Sequence, residues 1–325
     1  MAAKNERCPI CESSQTEDWV EQASPKSTIR FQMNQCERCH CWYMVLPPDQ
    51  KTLKSYYTTD YYFFNRDTDF EFNRTYQLYR RNVRVIENEL HEKRVLEIGC
   101  SKGYLLAILS RMGWQVQGVE ISDEASYYAR NEFNLPVFTG DVESYAEHNP
   151  AIKYPLILAL DVLEHVSDPF SFMQAVNELL APGGLLIIDT PNGESSSIKR
   201  ERGEWKGFNP FHIHIFSQVG IRILLSKYDL SIDSVYEYSY DPFSSGDNSI
   251  ELKIRTLVKS LLQKVGVFSI VYPWYRQAKM LKEPIKDPLL RTVYLVESNR
   301  ETLPGFPREF LFENGDNVVV ICKKA

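Results

Sequence analysis

The sequence predicts an α/β protein with a small metal-binding module at its front, on three observations. Two C-x-x-C pairs lie within the first 39 residues. A short β-rich run, Val95 to Ile98, enters a glycine-bounded turn and leaves it in a helix-periodic stretch from Tyr104 to Met112. A second strand, Gln115 to Val119, ends in Glu120, 21 residues after Gly99. The 325 residues are 43 % hydrophobic and 25 % charged, a globular composition with enough length for a substantial core. The net charge of −6 argues against nucleic acid as a partner. No stretch approaches the ~20 apolar residues of a membrane span, and Met1 to Ile10 has no signal-like core, so a cytoplasmic protein is expected.

The cysteines come first. Five of the seven stand in the first 41 residues (Cys8, Cys11, Cys36, Cys39, Cys41), with Cys100 and Cys322 alone. An odd number without an export signal speaks against a disulfide framework. Cys8 and Cys11, then Cys36 and Cys39 after 24 residues, each present two thiolates in a tight turn, as a tetrahedral ion requires. A plain hairpin of reduced cysteines or a redox pair are the other readings. Two pairs this close favour structural Zn2+ on Cys8, Cys11, Cys36 and Cys39. Such a short module buries little apolar surface, so the metal supplies folding energy, and a closed four-thiolate site has no catalytic position. His40 and Cys41 adjoin the second pair as rival ligands.

The glycine turn, Gly99-Cys100-Ser101-Lys102-Gly103, brings bare backbone N–H groups toward a ligand. A dinucleotide fingerprint would need glycine at 101 and 104, where Ser101 and Tyr104 stand. A hydrolase nucleophile elbow matches formally, but several strands should precede it and Glu120 would have no role. The third reading is an adenosylmethionine site, in which Glu120 accepts from both ribose hydroxyls.

Val95-Leu-Glu-Ile-Gly-Cys-Ser-Lys-Gly103 resembles the first motif of the Rossmann-like S-adenosylmethionine-dependent methyltransferases, and other segments follow that family's order. Gly140-Asp141-Val142-Glu143, after Leu135 to Phe138, resembles the loop that meets the adenine. Leu156 to Leu160 with Asp161-Val-Leu-Glu-His165 resembles the fourth-strand motif. Pro182 to Asn192 resembles the following turn and fifth strand, and Asn317 to Cys322 the antiparallel seventh strand. The resemblance implies a seven-stranded Rossmann-like methyltransferase sheet with a small N-terminal zinc ribbon. It also implies S-adenosyl-L-methionine as cofactor, held by Glu97, Gly99, Cys100 and Gly103 at the turn. Glu120 and Ile121 would serve the ribose, Asp141 and Val142 the adenine, with Asp161 beside the methyl. Ser101, where the family often has glycine, is expected with a negative φ.

The expected organisation is a zinc-ribbon module over residues 1–46, a helical cap over 47–93, and a methyltransferase domain over 94–325 with a helical insertion at about 250–310. The front module, with Cys36 to Pro48 and then Leu53 to Tyr62, resembles zinc-ribbon methyltransferases of polysaccharide and modified-sugar pathways. That implies O-methylation of a sugar or sugar-derived small molecule. Two alternatives stand beside it: a catalytically inactive binding or scaffold protein of the same fold, and C- or N-methylation of a nucleotide sugar.

Methyl transfer to a hydroxyl needs a positioned acceptor and loss of its proton, so an ionisable group is expected at the carboxyl ends of the fourth and fifth strands. The Asp161–His165 turn and the stretch from Trp205 to Ser217 qualify. His212, His165 and His214 are the candidate bases. His212 ranks first by resemblance, standing five residues before the helix-capping Ser217. Alternation puts His212 and His214 on one face of an extended segment, which is also metal-binding spacing. Trp205 is either a substrate platform or a loop anchor, and Tyr61 and Tyr62 pack over the cofactor or in a core.

Before the last strand, Ile254, Leu257, Val258, Leu261, Leu262, Val265 and Phe268 follow helical spacing, with Lys253, Arg255, Lys259 and Lys264 opposite. From Leu252 to Lys282 there are seven Lys or Arg and no acid. The segment reads as a helix packed on the sheet or on a partner, or as a peripheral membrane contact through residues 252–275 that approaches a lipid-linked sugar.

Overall fold

Alternating burial along the first hairpin sets its two faces. In β2 (Arg30–Cys36), Phe31 and Met33 point inward while Arg30 and Gln32 face solvent. β2 pairs antiparallel with β1 (Thr16–Ala23) on one side and β3 (Trp42–Met44) on the other. The computed structural model describes residues 6–23, 30–48, 52, 68–239, 287–298 and 314–325. The expected packing of Tyr61 and Tyr62 and the basic stretch from Leu252 to Lys282 lie outside the described residues. Among those described, no helix is long and apolar enough to cross a membrane.

The hairpin carries the four cysteines together. The Cys8 and Cys39 sulfurs stand 3.5 Å apart, those of Cys11 and Cys36 3.4 Å. All four lie within 4.8 Å of one another and none is in a disulfide. Sulfurs around a tetrahedral zinc at about 2.3 Å stand about 3.8 Å apart, so the set fits that ion. In the bare cluster the Cys39 thiol, then burial, hold the Cys8 thiol well above its usual range. A dipositive ion is the charge that allows such a set to ionise.

The main sheet is built from runs too apolar for an exposed face. After α1 (Thr68–Leu78), which continues through a π-turn at Tyr79–Val83, the chain alternates strand and helix. β4 (Arg94–Ile98), α2 (Tyr104–Arg111), β5 (Gln115–Glu120), α3 (Asp123–Phe133) and β6 (Val137–Thr139) form one half. α4 (Val142–His148), β7 (Tyr154–Leu160), α5 (Pro169–Leu179) and β8 (Leu180–Pro191) start the other. It continues with α6 (Ser196–Glu201), β9 (His214–Ile215), α7 (Gln218–Leu225), β10 (Leu230–Tyr238), α8 (Pro288–Ser298) and β11 (Asn317–Lys324). The strand order is β10-β11-β8-β7-β4-β5-β6, with β11 antiparallel to both neighbours. This is the seven-stranded sheet expected from the motifs.

Two-residue alternation divides the core. Leu96, Ile157, Ile188 and Val320 face α5 and α7, while Val95, Leu158, Ile187 and Val319 face α2 and α8. Both faces are covered, so the strands read as continuous apolar runs. Strand order reverses between β4 and β7, which opens a crevice at their carboxyl ends.

A short strand joins the two parts. β9, from the loop after α6, pairs with β3 through Tyr43↔His214 and Trp42↔Ile215. It thereby completes a four-stranded sheet, β1-β2-β3-β9. Phe31, Met33 and Trp42 of the hairpin pack on Ile198, Trp205 and Phe208. Trp205 is 4 % exposed and its Nε1 donates to Asp316 Oδ1 at 3.2 Å, so it is the loop anchor of the two readings. Ser217 caps α7 by accepting from Gly220 N at 2.9 Å, and also donates to the Cys39 carbonyl at 2.5 Å.

Gly220 sits where this joint is tightest: a Cβ there would overlap the Cys41 sulfur. An exposed helical Gly→Ala change gains about 1 kcal/mol. Gly220→Ala is instead expected to lose about 2 kcal/mol in urea unfolding, because the close-packed joint has no room to give. Elemental analysis should find at least one zinc per chain, and Cys36→Ser should release one equivalent and lower the melting temperature by several degrees.

Candidate active site

Glu120 organises the glycine turn. Its Oε2 accepts from Ser101 N at 2.8 Å and its Oε1 from Ser122 N at 2.7 Å. The tip of β5 is thus stitched to the turn after β4 and to the start of α3. Gly99 (φ 68°) and Gly103 (φ 77°) bracket the turn in the left-handed region. A Cβ on Gly99 would come within 2.5 Å of Val162 Cγ2, so both conformation and space demand glycine there. Ser101 departs from its expected negative φ and stands at 49°. The left-handed conformation costs a serine roughly 1–2 kcal/mol, and the hydrogen bond from its amide to the buried Glu120 offsets it. The Cys100 thiol turns inward against Gly118, so only its backbone faces the crevice.

Acids crowd this end of the sheet. Glu97 is buried in β4, and its Oε2 has no hydrogen-bond partner. Burial, then the neighbouring Glu120, push its carboxyl up to about 8 against the pull of Arg74. Burial also raises Glu120, opposed by the backbone amides it accepts from. Ile121 is half-buried beside it. Asp141 caps α4, accepting from Ser144 N at 2.8 Å, and Val142 is buried in the first turn. Asp161 ends β7 with φ 54° and pairs with Arg74 of α1 at 3.0 Å. Sequence reasoning missed Arg74, which lies 87 residues from its partner in a helix with no motif.

Across Asp161 lies a second cluster. Glu164, His165 and His212 bring one ligand atom each within 4.8 Å of one another. The two imidazoles meet edge to face with centroids 4.8 Å apart. His165 Nδ1 is 2.8 Å from the Phe211 carbonyl, and His212 Nδ1 2.8 Å from that of Gly207. Thr190 Oγ1 of β8 donates to Glu164 Oε2 at 2.9 Å. Burial pushes the His212 imidazole down to about 3, with His165 adding to it, and burial lowers His165 as well. Burial, then Asp161, hold Glu164 well above the usual carboxylate range.

His214 does not join this cluster, contrary to the expectation that it shares a face with His212. His212 lies in a turn before β9, its backbone N donating to Asn209 Oδ1 at 3.1 Å, so strand alternation does not reach it. His214 is 2 % exposed within the joint, and burial lowers its imidazole to about 4. The motifs also left out the layer beneath. Asp189 of β8 accepts from Tyr238 OH at 2.8 Å and Asn82 Nδ2 at 3.0 Å, tying the turn after α1 to the sheet.

A "Ubiquinone biosynthesis O-methyltransferase" of Vibrio cholerae is 36 % identical over 110 residues, 32 % of this chain and 44 % of that protein. One of the same name from Pseudoalteromonas translucida is 31 % identical over 134 residues, 39 % and 56 % of the two chains. The chain thus spans about half the length of the curated relatives it matches. A solved SAM-dependent methyltransferase from Archaeoglobus fulgidus is 15 % identical, with TM-score 0.46 over 85 % of this chain and all of that one. Another from Thermotoga maritima, described as a possible histamine N-methyltransferase, is 18 % identical, with TM-score 0.45 over 79 % and 93 %. Residues 71–235, about half of the chain, match the family model for a methyltransferase domain, and the protein belongs to that family of S-adenosylmethionine-dependent methyltransferases.

Proposed function

We propose that this protein methylates a hydroxyl oxygen of a small molecule, with S-adenosylmethionine over the glycine turn and the acceptor against Glu164, His165 and His212. The observation that carries the reading is Glu97: a buried carboxyl with an orphaned oxygen, beside two more acids and one arginine, suits a ligand bearing both cationic groups and a carboxylate. When bound, the cofactor supplies a methyl already activated on a sulfonium sulfur. Gly99, Gly103 and the Cys100 backbone let it approach the turn. Glu120 and Ile121 serve the ribose, Asp141 and Val142 the adenine, and Asp161 with Arg74 the amino-acid end.

His212 and His165 are the catalytic residues of this reading, placed where an acceptor hydroxyl loses its proton; His214 lies in the joint and acts only through it. The name O-methyltransferase on the curated relatives supports oxygen as the acceptor atom. The resemblance of the cysteine module to that of sugar-pathway enzymes supports a sugar or sugar-derived acceptor. Labelled methyl from S-adenosylmethionine should move to a hydroxyl among a panel of sugars, nucleotide sugars and phenols. Cofactor binding with no transfer to any of them would favour the inactive binding protein, and label on carbon or nitrogen would reassign the acceptor atom.

Glu120→Ala should weaken cofactor affinity more than tenfold by calorimetry, since it removes a buried acceptor and unties the turn. Unchanged affinity would remove Glu120 from the site. A second outcome follows from Glu97. Its carboxyl holds a proton in the free protein below about 8, and a cationic ligand beside it favours the ionised form. Cofactor binding at pH 7 should therefore release protons, seen as a dependence of binding enthalpy on buffer ionisation enthalpy, and Glu97→Gln should abolish that dependence. In the free protein the same group makes stability fall as pH rises from about 4.5 to about 8, because the folded state keeps a proton that the unfolded chain has lost. Glu97→Gln should flatten that slope in urea unfolding.

A further inference from the structure

We propose that Glu164, His165 and His212 bind a divalent transition-metal ion, and that this ion takes the acceptor's hydroxyl oxygen. The inference rests on the reading above, that the acceptor sits at this end of the sheet, and assigns how its proton is lost.

The histidines are oriented as ligands are. Each Nδ1 stands 2.8 Å from a backbone carbonyl, which only accepts, so both rings are Nδ1–H tautomers with the lone pair on Nε2. Metal-bound imidazoles are held in this way by an outer hydrogen bond. Glu164 is prepared likewise. Thr190 holds its Oε2 at 2.9 Å, while its buried Oε1 accepts no hydrogen bond and lies 3.8 Å from His165 Nε2. Donors on one ion at about 2.1 Å stand at most about 4.2 Å apart. One nitrogen of each ring and one Glu164 oxygen lie within 4.8 Å of one another, so a small closure with each Nε2 turned inward brings the three residues onto an ion.

The donor set selects the ion. Two imidazole nitrogens and one carboxylate oxygen suit the zinc and cobalt class better than magnesium or calcium, which take oxygen. Three protein ligands leave coordination positions open, unlike the closed cysteine cluster. A hydroxyl bound in one of them gives its proton to solvent water, the ion's charge stabilises the resulting alkoxide or phenolate, and the ion's oxidation state does not change. Both Nε2 lone pairs then go to the ion rather than to the proton.

The test is calorimetric titration of full-length protein, adjusted to one zinc per chain at the cysteine cluster, with Co2+, followed by visible absorption. The expected result is one Co2+ per chain without a thiolate charge-transfer band. His212→Ala and Glu164→Gln should each weaken it more than tenfold, with melting temperature and cofactor affinity unchanged. If His212→Ala melts early, the isosteric Glu164→Gln carries the comparison. No Co2+ beyond the cysteine site, or equal binding by Glu164→Gln, overturns the proposal, as does methyl transfer undiminished by a chelator that strips the Co2+. Co2+ bound as expected, with no transfer to any hydroxyl in the panel, keeps the ion site and overturns the acceptor reading instead.

Discussion

Glu120 reaches back from the tip of β5 to the amide of Ser101 and forward to the amide of Ser122, and the crevice takes its shape from that clamp. The turn after β4 contains three left-handed residues, Gly99, Ser101 and Gly103, and one of them is not glycine. Without a buried acceptor for its amide, the turn would relax and the backbone facing the crevice would lose its direction. The same carboxylate joins β5 to the turn after β4 and to the start of α3, so both sides of the crevice there are set by one residue. Asp161, at φ 54°, plays the matching part across the switch point, its amide on the Asp189 carbonyl and its carboxylate on Arg74.

One electrostatic theme recurs at three places. Burial raises the carboxyls of Glu97, Glu120 and Glu164, and the Cys39 thiol, then burial, raises the thiol of Cys8. Buried anionic groups stay protonated unless a positive charge arrives with its own binding energy. A zinc ion, a sulfonium-bearing cofactor and a second divalent ion are each the charge their cluster lacks. Proton release on ligand binding is the shared signature of all three, and it separates them from clusters whose polar groups are satisfied within the fold. Asp189 lies nearer that kind: burial raises its carboxyl to about 6, but Arg81, Asn82 and Tyr238 pull against it.

The central sheet was legible because its signals are local. Strands with continuous apolar runs, turns marked by glycine and acids at strand tips all act within a few residues, and the six strands the motifs mark fall within two residues of their expected bounds. The cysteine cluster was legible for the same reason, since its turns set the ligand spacing. What the sequence hid is pairing at a distance. Arg74 meets Asp161, His165 meets His212, and β3 finds a two-residue strand, β9, far too short to carry a period. The φ of Ser101 was hidden too, because the acceptor that holds its amide stands 19 residues on. His214 misled for a related reason: alternation between two histidines means nothing unless both lie in the strand.

The position of β9 gives the cysteine module a place in the chemistry without any metal chemistry of its own. Ile213, between the two histidines, donates its N–H to the Glu164 carbonyl at 2.9 Å and accepts from Met44 N at 2.9 Å. One residue thus connects the last strand of the metal-bearing hairpin to the turn that carries Glu164 and His165. Trp205 on Asp316 holds one end of the same loop, and Ser217 on the Cys39 carbonyl holds the other. His212 sits between those anchors, its ring set by the Gly207 carbonyl. A loop of this length left to itself would sample many conformers, at roughly 1–2 kcal/mol of backbone entropy for each residue ordered. Folding the hairpin around its ion bears that cost before any ligand arrives, so a defect in the cysteine cluster reaches His212 through Met44 and Ile213 and through Ser217 on the Cys39 carbonyl.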